Sequence, residues 1–316
     1  VRTKKILFAF LFLLILLFIS TLFTPTTVQK TVPVALPVFR ATEQFADPVN
    51  LAKWYHPFLA SGSSLNIQID GAGKKLRAGN DSVQIENLSI YSSRLTSFSG
   101  SKQKQFLLSV LPDTTNITGS LLSLSYKTTL FKKWFKTNKL ETNALQSLAS
   151  LADYVDDTKR LYGYDIRRVK VVDTAFLFAT TSVPLAEKRA ASKKLFDQLI
   201  DFAAKKNAGY NGVRIFHSQR SGNEVILFAS IGVTNRITID ESEPFQYKMM
   251  PFEKNLLEAT YQGPFGESHK VYTALETYKK DHGLVSMAIP FQKFLSDGYD
   301  FADEQVVQLK IYYPIF

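Results

Sequence analysis

The chain has 316 residues, 45% of them hydrophobic and 21% charged, room for about two domains of ~150 residues each. Those fractions exclude wholesale disorder. With no cysteine, and with His56, His217, His269 and His282 widely spaced, the sequence excludes a disulfide scaffold, a thiol nucleophile, a cysteine zinc site and a local histidine metal motif. No metal and no cofactor is expected. The formal net charge of +10 is spread rather than clustered, and the largest basic group, Lys132-Lys133 with Lys136, is too small for a nucleic-acid footprint. Mild attraction to an anionic membrane accounts for it more simply.

The run ILFAFLFLLILLFISTLF, Ile6 to Phe23, is uncharged and broken only by Ser20 and Thr21. As a helix it spans roughly 27 Å, about one hydrocarbon core. Arg2, Lys4 and Lys5 precede it and no comparable positive flank follows. Positive residues stay inside, so the N-terminus is expected in the cytoplasm and everything after Thr24 outside it. A cleaved signal peptide fits less well, because the run exceeds a usual apolar core and TLFTPTT lacks a small-x-small cleavage pattern. The expectation is a single-pass inner (cytoplasmic) membrane protein, anchored by one transmembrane helix over residues 6–23, with its domains in the periplasm or otherwise extracytoplasmic.

Residues 24–30 read as a polar spacer. Val28 to Leu36 alternates as a strand and is stopped by Pro37. Phe39–Phe45 suits a short helix, and residues 46–58 a second that opens at Asp47-Pro48 and ends at Pro57. Short β-like runs follow at 65–70, 75–79, 82–91, 94–100, 104–112 and 120–131, the first two joined by a hairpin at Gly71-Ala72-Gly73. A helix from Glu141 to about Tyr162, with Leu145, Leu148, Leu151, Ala152 and Val155 on one face, closes the unit over residues 28–165. Such a sheet needs a cover, and the long helix supplies it. Helix and curved sheet are expected to enclose an apolar cavity. The stretch VQKTVPVALPVFRATEQFADPVNLAKWYHPF, through Asp47, Pro48, Asn50, Leu51, Trp54 and Pro57, resembles the opening of the START/polyketide-cyclase superfamily (SRPBCC, the helix-grip fold). That resemblance implies a cavity for lipids, polyketides or other apolar ligands.

From Arg167 the pattern changes, and residues 166–316 contain an internal repeat. A shift of 80 residues places Leu177 on Leu257, Ala179 on Ala259, Thr180 on Thr260, Pro184 on Pro264, Glu187 on Glu267 and Leu195 on Leu275. Each copy reads strand, helix, strand, strand. In the first, a strand over about Val169–Thr181 precedes a helix over Leu185–Lys206 and strands at 212–218 and 224–231. In the second, the strand 256–263 leads to a helix over about Gly266–Asp281 and strands at 290–296 and 304–315. The duplicated β-α-β-β unit, with YQGPF, PFQKF and a final KIYYPI strand, resembles the GyrI-like effector-binding domain. The resemblance implies a groove between two repeats that takes a small, often aromatic or cationic molecule, with a glutamate in the last strand. Lys310 stands at that position here, which disfavours a cation; an anionic or neutral ligand fits better. The fold class expected is α+β: a helix-grip antiparallel sheet with a long C-terminal helix, then the duplicated domain.

Tyrosines and phenylalanines crowd the repeat motifs, and tyrosine offers a flat apolar face with a polar tip. Candidate ligand-binding residues are Tyr210, Phe216, Tyr247, Glu258, Tyr261, Phe265, Phe291, Phe294, Lys310 and Tyr312; Tyr299 belongs to the same aromatic crowd. On the last strand Val307, Leu309, Ile311 and Tyr313 share one face, which suits helix packing, and Val306, Gln308, Lys310 and Tyr312 share the other, which suits a groove wall. No catalytic residue is assigned: the chain lacks G-x-S-x-G, H-E-x-x-H and a dinucleotide fingerprint. GyrI-like domains often sit beside a helix-turn-helix; none is visible, so direct nucleic-acid binding is not expected. The sequence does not identify a protein partner. These features describe a membrane-held, non-enzymatic binder or sensor of small hydrophobic or amphipathic ligands. The alternative is a cyclase-like or hydrolase-like enzyme that uses a pocket carboxylate such as Glu258 or Glu253, or a histidine such as His217 or His269.

Overall fold

The structure, a computed structural model, describes residues 2–61, 66–70, 73–135, 138–286, 288–295 and 301–315. The expected Gly71-Ala72 turn, Lys136 and Tyr299 lie outside the described residues. The fold is α+β with two antiparallel sheets, divided into units Val1–Asp157 and Thr158–Phe316.

The first unit opens with helix α1 (Arg2–Phe23). Its side chains from Phe10 to Ile19 are 43–63% exposed; those before Phe10 are not described. Among the described residues no helix is long and apolar enough to cross a membrane. Strand β1 (Pro25–Val34) follows at once and pairs along its whole length with β7 (Ser120–Thr129), from Pro25↔Thr129 to Val34↔Ser120. The segment expected to be a spacer is therefore strand: β1 is an edge of the sheet, where alternating polar residues are tolerated and β7 supplies their backbone partners.

Pro37 then stops the chain and three short helices follow, α2 (Val38–Ala46), α3 (Pro48–Ala52) and α4 (His56–Ser61). Asp47 caps α3 by accepting from the Val49 N–H at 2.9 Å, with Pro48 in the first turn, which is where proline costs a helix least. Strands β2 (Asn66–Asp70), β3 (Gly73–Ala78), β4 (Asp81–Ser89), β5 (Ser92–Ser99) and β6 (Lys102–Pro112) complete a sheet of order β1-β7-β6-β5-β4-β3-β2. A short helix α5 (Leu130–Phe135) replaces the end of the strand expected over 120–131. Helix α6 (Lys139–Asp156), capped by Asn138, buries Leu140, Ala144, Leu148, Leu151 and Val155. It ends at Asp157, whose backbone is extended (φ −86°, ψ 95°). The single helix expected to reach Tyr162 is thus two, and α7 (Thr158–Tyr162) belongs to the second unit.

Among the described residues the interior of the first unit is closely packed, where a cavity was expected. Phe45, Trp54, Tyr55 and Phe58, carried by α2–α4 and the turns between them, are buried beside Leu95, Phe106, Leu108 and Leu124 of the sheet. What remains between Trp54, Tyr55, Phe106 and Leu148 is about 10 Å³, the space of a single water. Trp54 donates its Nε1–H to the Gln44 carbonyl at 2.9 Å, so the one polar atom of the largest buried ring is satisfied.

The second unit runs β8 (Ile166–Lys170), β9 (Ala175–Pro184), α8 (Lys188–Lys205), β10 (Tyr210–Ser221), β11 (Glu224–Val233), β12 (Gln246–Met249), β13 (Asn255–Pro264), α9 (His269–Asp281), β14 (Phe291–Phe294) and β15 (Val306–Ile315). The strand order β12-β9-β11-β10-β14-β15-β13-β8 sets the copy β9-α8-β10-β11 against the copy β13-α9-β14-β15. The flanking strands are exchanged: β8 precedes the first copy but pairs with β13 of the second, and β12 precedes the second but pairs with β9 of the first. The strand expected over Val169–Thr181 is accordingly broken between β8 and β9. There the backbone bonds to the β12–β13 connector instead, with Val171 N–H to Lys254 O at 2.9 Å and Met250 N–H to Thr174 O at 2.8 Å. Both helices pack on one face of the sheet, where Leu177, Leu227, Ile231, Leu257, Leu309 and Ile311 meet Phe196, Leu199, Val271 and Leu275.

Candidate functional site

Strand alternation sends the neighbours of those core residues to the opposite face, which no helix covers. Between that face and the two crossing connectors lies a cleft of about 350 Å³. Its floor is a separate apolar cluster of Val171, Phe176, Ile215, Leu256, Phe291 and Tyr312. The Phe291 and Tyr312 rings stack with centroids 5.1 Å apart.

The polar groups sit along one side. Lys293 of β14 and Lys310 of β15 are directly opposite in the ladder, an arrangement that destabilises a sheet unless each charge is compensated. Each has its own carboxylate: Lys310 Nζ donates to Glu258 Oε2 at 3.1 Å, and Lys293 Nζ to Asp173 Oδ2 at 2.7 Å. The Tyr312 phenol lines the same side of the cleft, within the influence of the Glu258 carboxylate. Burial, then the charges of Glu258 and Asp173, push that phenol well above the usual tyrosine range, so it stays a neutral donor.

Of the candidate residues read from the sequence, Glu258, Phe291, Lys310 and Tyr312 come together in this cleft. The others fall on the helix-packed face or its margin. Tyr261 and Phe294 are buried in the main core, and the Tyr261 hydroxyl is used locally on the Pro264 carbonyl at 2.6 Å. Tyr210 and Tyr247 are partly buried against that core. Phe216 and Phe265 belong to it as well and also border a second recess. Lys293 and Asp173 were missed. Lys293 alternates with Phe291 in PFQKF and was recoverable by counting; Asp173 lies in a connector, where periodicity carries no signal. Two further recesses, of about 530 and 600 Å³, lie in the first unit and are lined mainly by polar side chains, Lys102, Lys104 and Lys139 among them.

The repeat makes an internal comparison possible. Phe178 stands in the first copy where Glu258 stands in the second, and the registers Thr180↔Phe228 and Thr260↔Lys310 put Phe228 in the place of Lys310. An aromatic pair, with ring centroids 6.4 Å apart, thus replaces the ion pair. The uncovered face is polar at one end and apolar at the other.

No family model matches the chain, and no curated protein matches it. Solved structures similar to it include an EcmrR–DNA complex, 12% identical over 59% of this chain and 75% of that chain, with a TM-score of 0.40. CalU16 from Micromonospora echinospora is 15% identical over 41% of this chain and 75% of that one, with a TM-score of 0.31. A hydrolase from Listeria innocua is 14% identical over 51% and 97%, with a TM-score of 0.32. Likenesses of this extent carry no argument about activity or partner.

Proposed function

We propose that the second unit binds an amphipathic small molecule, neutral or anionic, in the cleft on its uncovered sheet face, and that α1 holds the chain to a membrane with both units outside the cytoplasm. The observation that carries the first part is an open cleft whose floor is apolar and whose polar groups line one side. That division suits a ligand with a flat apolar body and one hydrogen-bonding end. The charge count favours a neutral or anionic ligand: Lys170, Lys293 and Lys310 line the cleft against Asp173 and Glu258, and the last pair shows it in its exposure. The Lys310 side chain is 36% exposed and that of Glu258 only 13%, so an incoming ligand meets the ammonium first. A cation would face that repulsion and would gain little from a carboxylate already engaged by Lys310. The exposed apolar side chains of α1 from Phe10 to Ile19 support the anchor, since a bilayer removes them from water.

Thermal unfolding of the full chain in nanodiscs, followed with 2-naphthol and with 2-naphthylmethylammonium, tests the binding reading. The neutral probe is expected to raise the transition of the second unit; a ligand at 100 times its Kd adds about 2.7 kcal/mol. The ammonium probe is expected to do so only weakly, and Lys310→Met to narrow the gap between them. No shift with either probe overturns the reading. The anchor is tested separately by single cysteines, which the cysteine-free chain permits: Ser101→Cys is expected to react with an impermeant maleimide from outside intact cells, and Thr3→Cys is not. Equal labelling of both, or release of the chain by alkaline carbonate, overturns it.

A further inference from the structure

The recess bordered by Phe216 and Phe265 has a volume of about 390 Å³ and shares no lining residue with the cleft. Lys188, the first residue of α8, His217 of β10 and Tyr272 of α9 converge there. Lys188 Nζ lies 5.8 Å from the centroid of the Phe265 ring, and the His217 and Tyr272 rings are 6.4 Å apart. Two nitrogen bases therefore share a half-buried space with flat apolar walls. Among the described residues the one carboxylate bordering it, Asp303, is exposed. The remaining titratable neighbours are His269, Tyr272 and Tyr313. His269 Nδ1–H donates to the Gly266 carbonyl at 2.8 Å, and the Tyr272 hydroxyl points to Gln292 Oε1 at 3.4 Å. Burial pushes the Tyr313 phenol up to about 12.

We propose that this recess is a second ligand site, one that takes a small aromatic carboxylate with its anionic head between Lys188 and His217 and its ring against Phe265 and Tyr272. The charge balance gives the chemistry. Burial first, and the Lys188 charge second, hold His217 below the usual imidazole range; burial also lowers Lys188, which Asp303 only partly offsets. An anion placed between them relieves both costs, and a planar body matches ring walls better than a compact anion does. Binding such an anion favours the imidazolium, so complex formation takes up a proton and the affinity falls as the pH rises.

Benzoate is the probe, titrated calorimetrically into the full chain between pH 5.5 and 8, where it stays ionised. It is expected to bind with proton uptake, seen by comparing buffers of different ionisation heat, and to lose about tenfold in affinity across that range, as one coupled proton per pH decade allows. Benzamide and inorganic phosphate are expected to bind far more weakly. Lys188→Met is expected to abolish binding and Lys188→Arg to keep it; His217→Gln is expected to leave weaker binding without the pH dependence. Thermal unfolding of each variant checks that the fold is intact. In NMR of histidine-labelled protein, the His217 ring signal is expected to move with benzoate. Equal binding of benzamide or phosphate, unchanged binding in a folded Lys188→Met, or a stationary His217 signal overturns the proposal.

Discussion

The two units solve the same packing problem and reach opposite results. In each, an antiparallel sheet has apolar side chains to cover. In the first unit α2–α4 and α6 share one face with the sheet, and Phe45, Trp54 and Tyr55 fill what the long helix leaves, down to about 10 Å³. In the second unit α8 and α9 go to one face, and the other is left to two crossing connectors, which leave a cleft of about 350 Å³. Whether a sheet of this kind becomes a core or a receptacle is decided by the segments between strands.

The contrast predicts how each interior answers truncation, and this is the largest effect expected. Trp54→Ala removes a ring that is 1% exposed and strands the Gln44 carbonyl, for a cost of roughly 3–5 kcal/mol. Phe291→Ala borders space that is already open, so the new void merges with solvent and the cost falls to about 2 kcal/mol. Urea midpoints of the two transitions measure both. Equal costs would mean that the cleft is as rigidly packed as the first interior.

Next in size is the alkaline edge of the first unit. Burial pushes the Tyr55 phenol up to about 12, although its hydrogen bond with Ser97 Oγ at 2.6 Å pulls the other way. In the unfolded chain the group titrates near 10. Stability is therefore whole below pH 10 and is lost as the pH rises through 12, in all about 3 kcal/mol. Urea midpoints at pH 9, 10 and 11 should fall steadily for the parent and less for Tyr55→Phe.

What the sequence disclosed and what it hid follow the same division. The 80-residue shift located the repeat, and it is met in the structure by β9 and β13, both ending at proline before a helical turn. Alternation on β15 separated Leu309 and Ile311 from Lys310 and Tyr312 correctly. Alternation on β13 likewise sets Tyr261 with Leu257 and Ala259, the core face it occupies, and on β14 it sets Phe294 opposite Phe291; aromatic character alone does not make either a groove residue. The filled first interior was not legible, because nothing in a helical period says whether Trp54 points into a cavity or fills it. The exchange of β8 and β12 is equally silent, since a strand's partner lies outside its own pattern.

The ion pair of the second copy is smaller in energy and bears on the cleft directly. Glu258→Gln leaves Lys310 without its carboxylate, and Lys310→Met removes the charge that it balances. Because Lys310 is partly solvated, the coupling expected from the double-mutant cycle is about 1–2 kcal/mol. A coupling near zero would make the pair an exposed ornament of the cleft rather than part of its wall.

The smallest effect belongs to the other end of that face. There Lys248 of β12 lies 3.5 Å from the centroid of the Phe178 ring, and burial of the ammonium lowers its pKa. Lys248→Met keeps an unbranched apolar stem over Phe178 but deletes the cation, so the loss should be about 0.5–1 kcal/mol, measured as a shift in the urea midpoint. The sign matters more than the size. If the variant is destabilised, the aromatic end of the sheet holds a cation of its own, and the two copies differ in how they hold charge. If it gains stability, the ammonium was costing more in desolvation than the ring returned, and the apolar end of the face is free to receive the body of a ligand whose head meets Lys310.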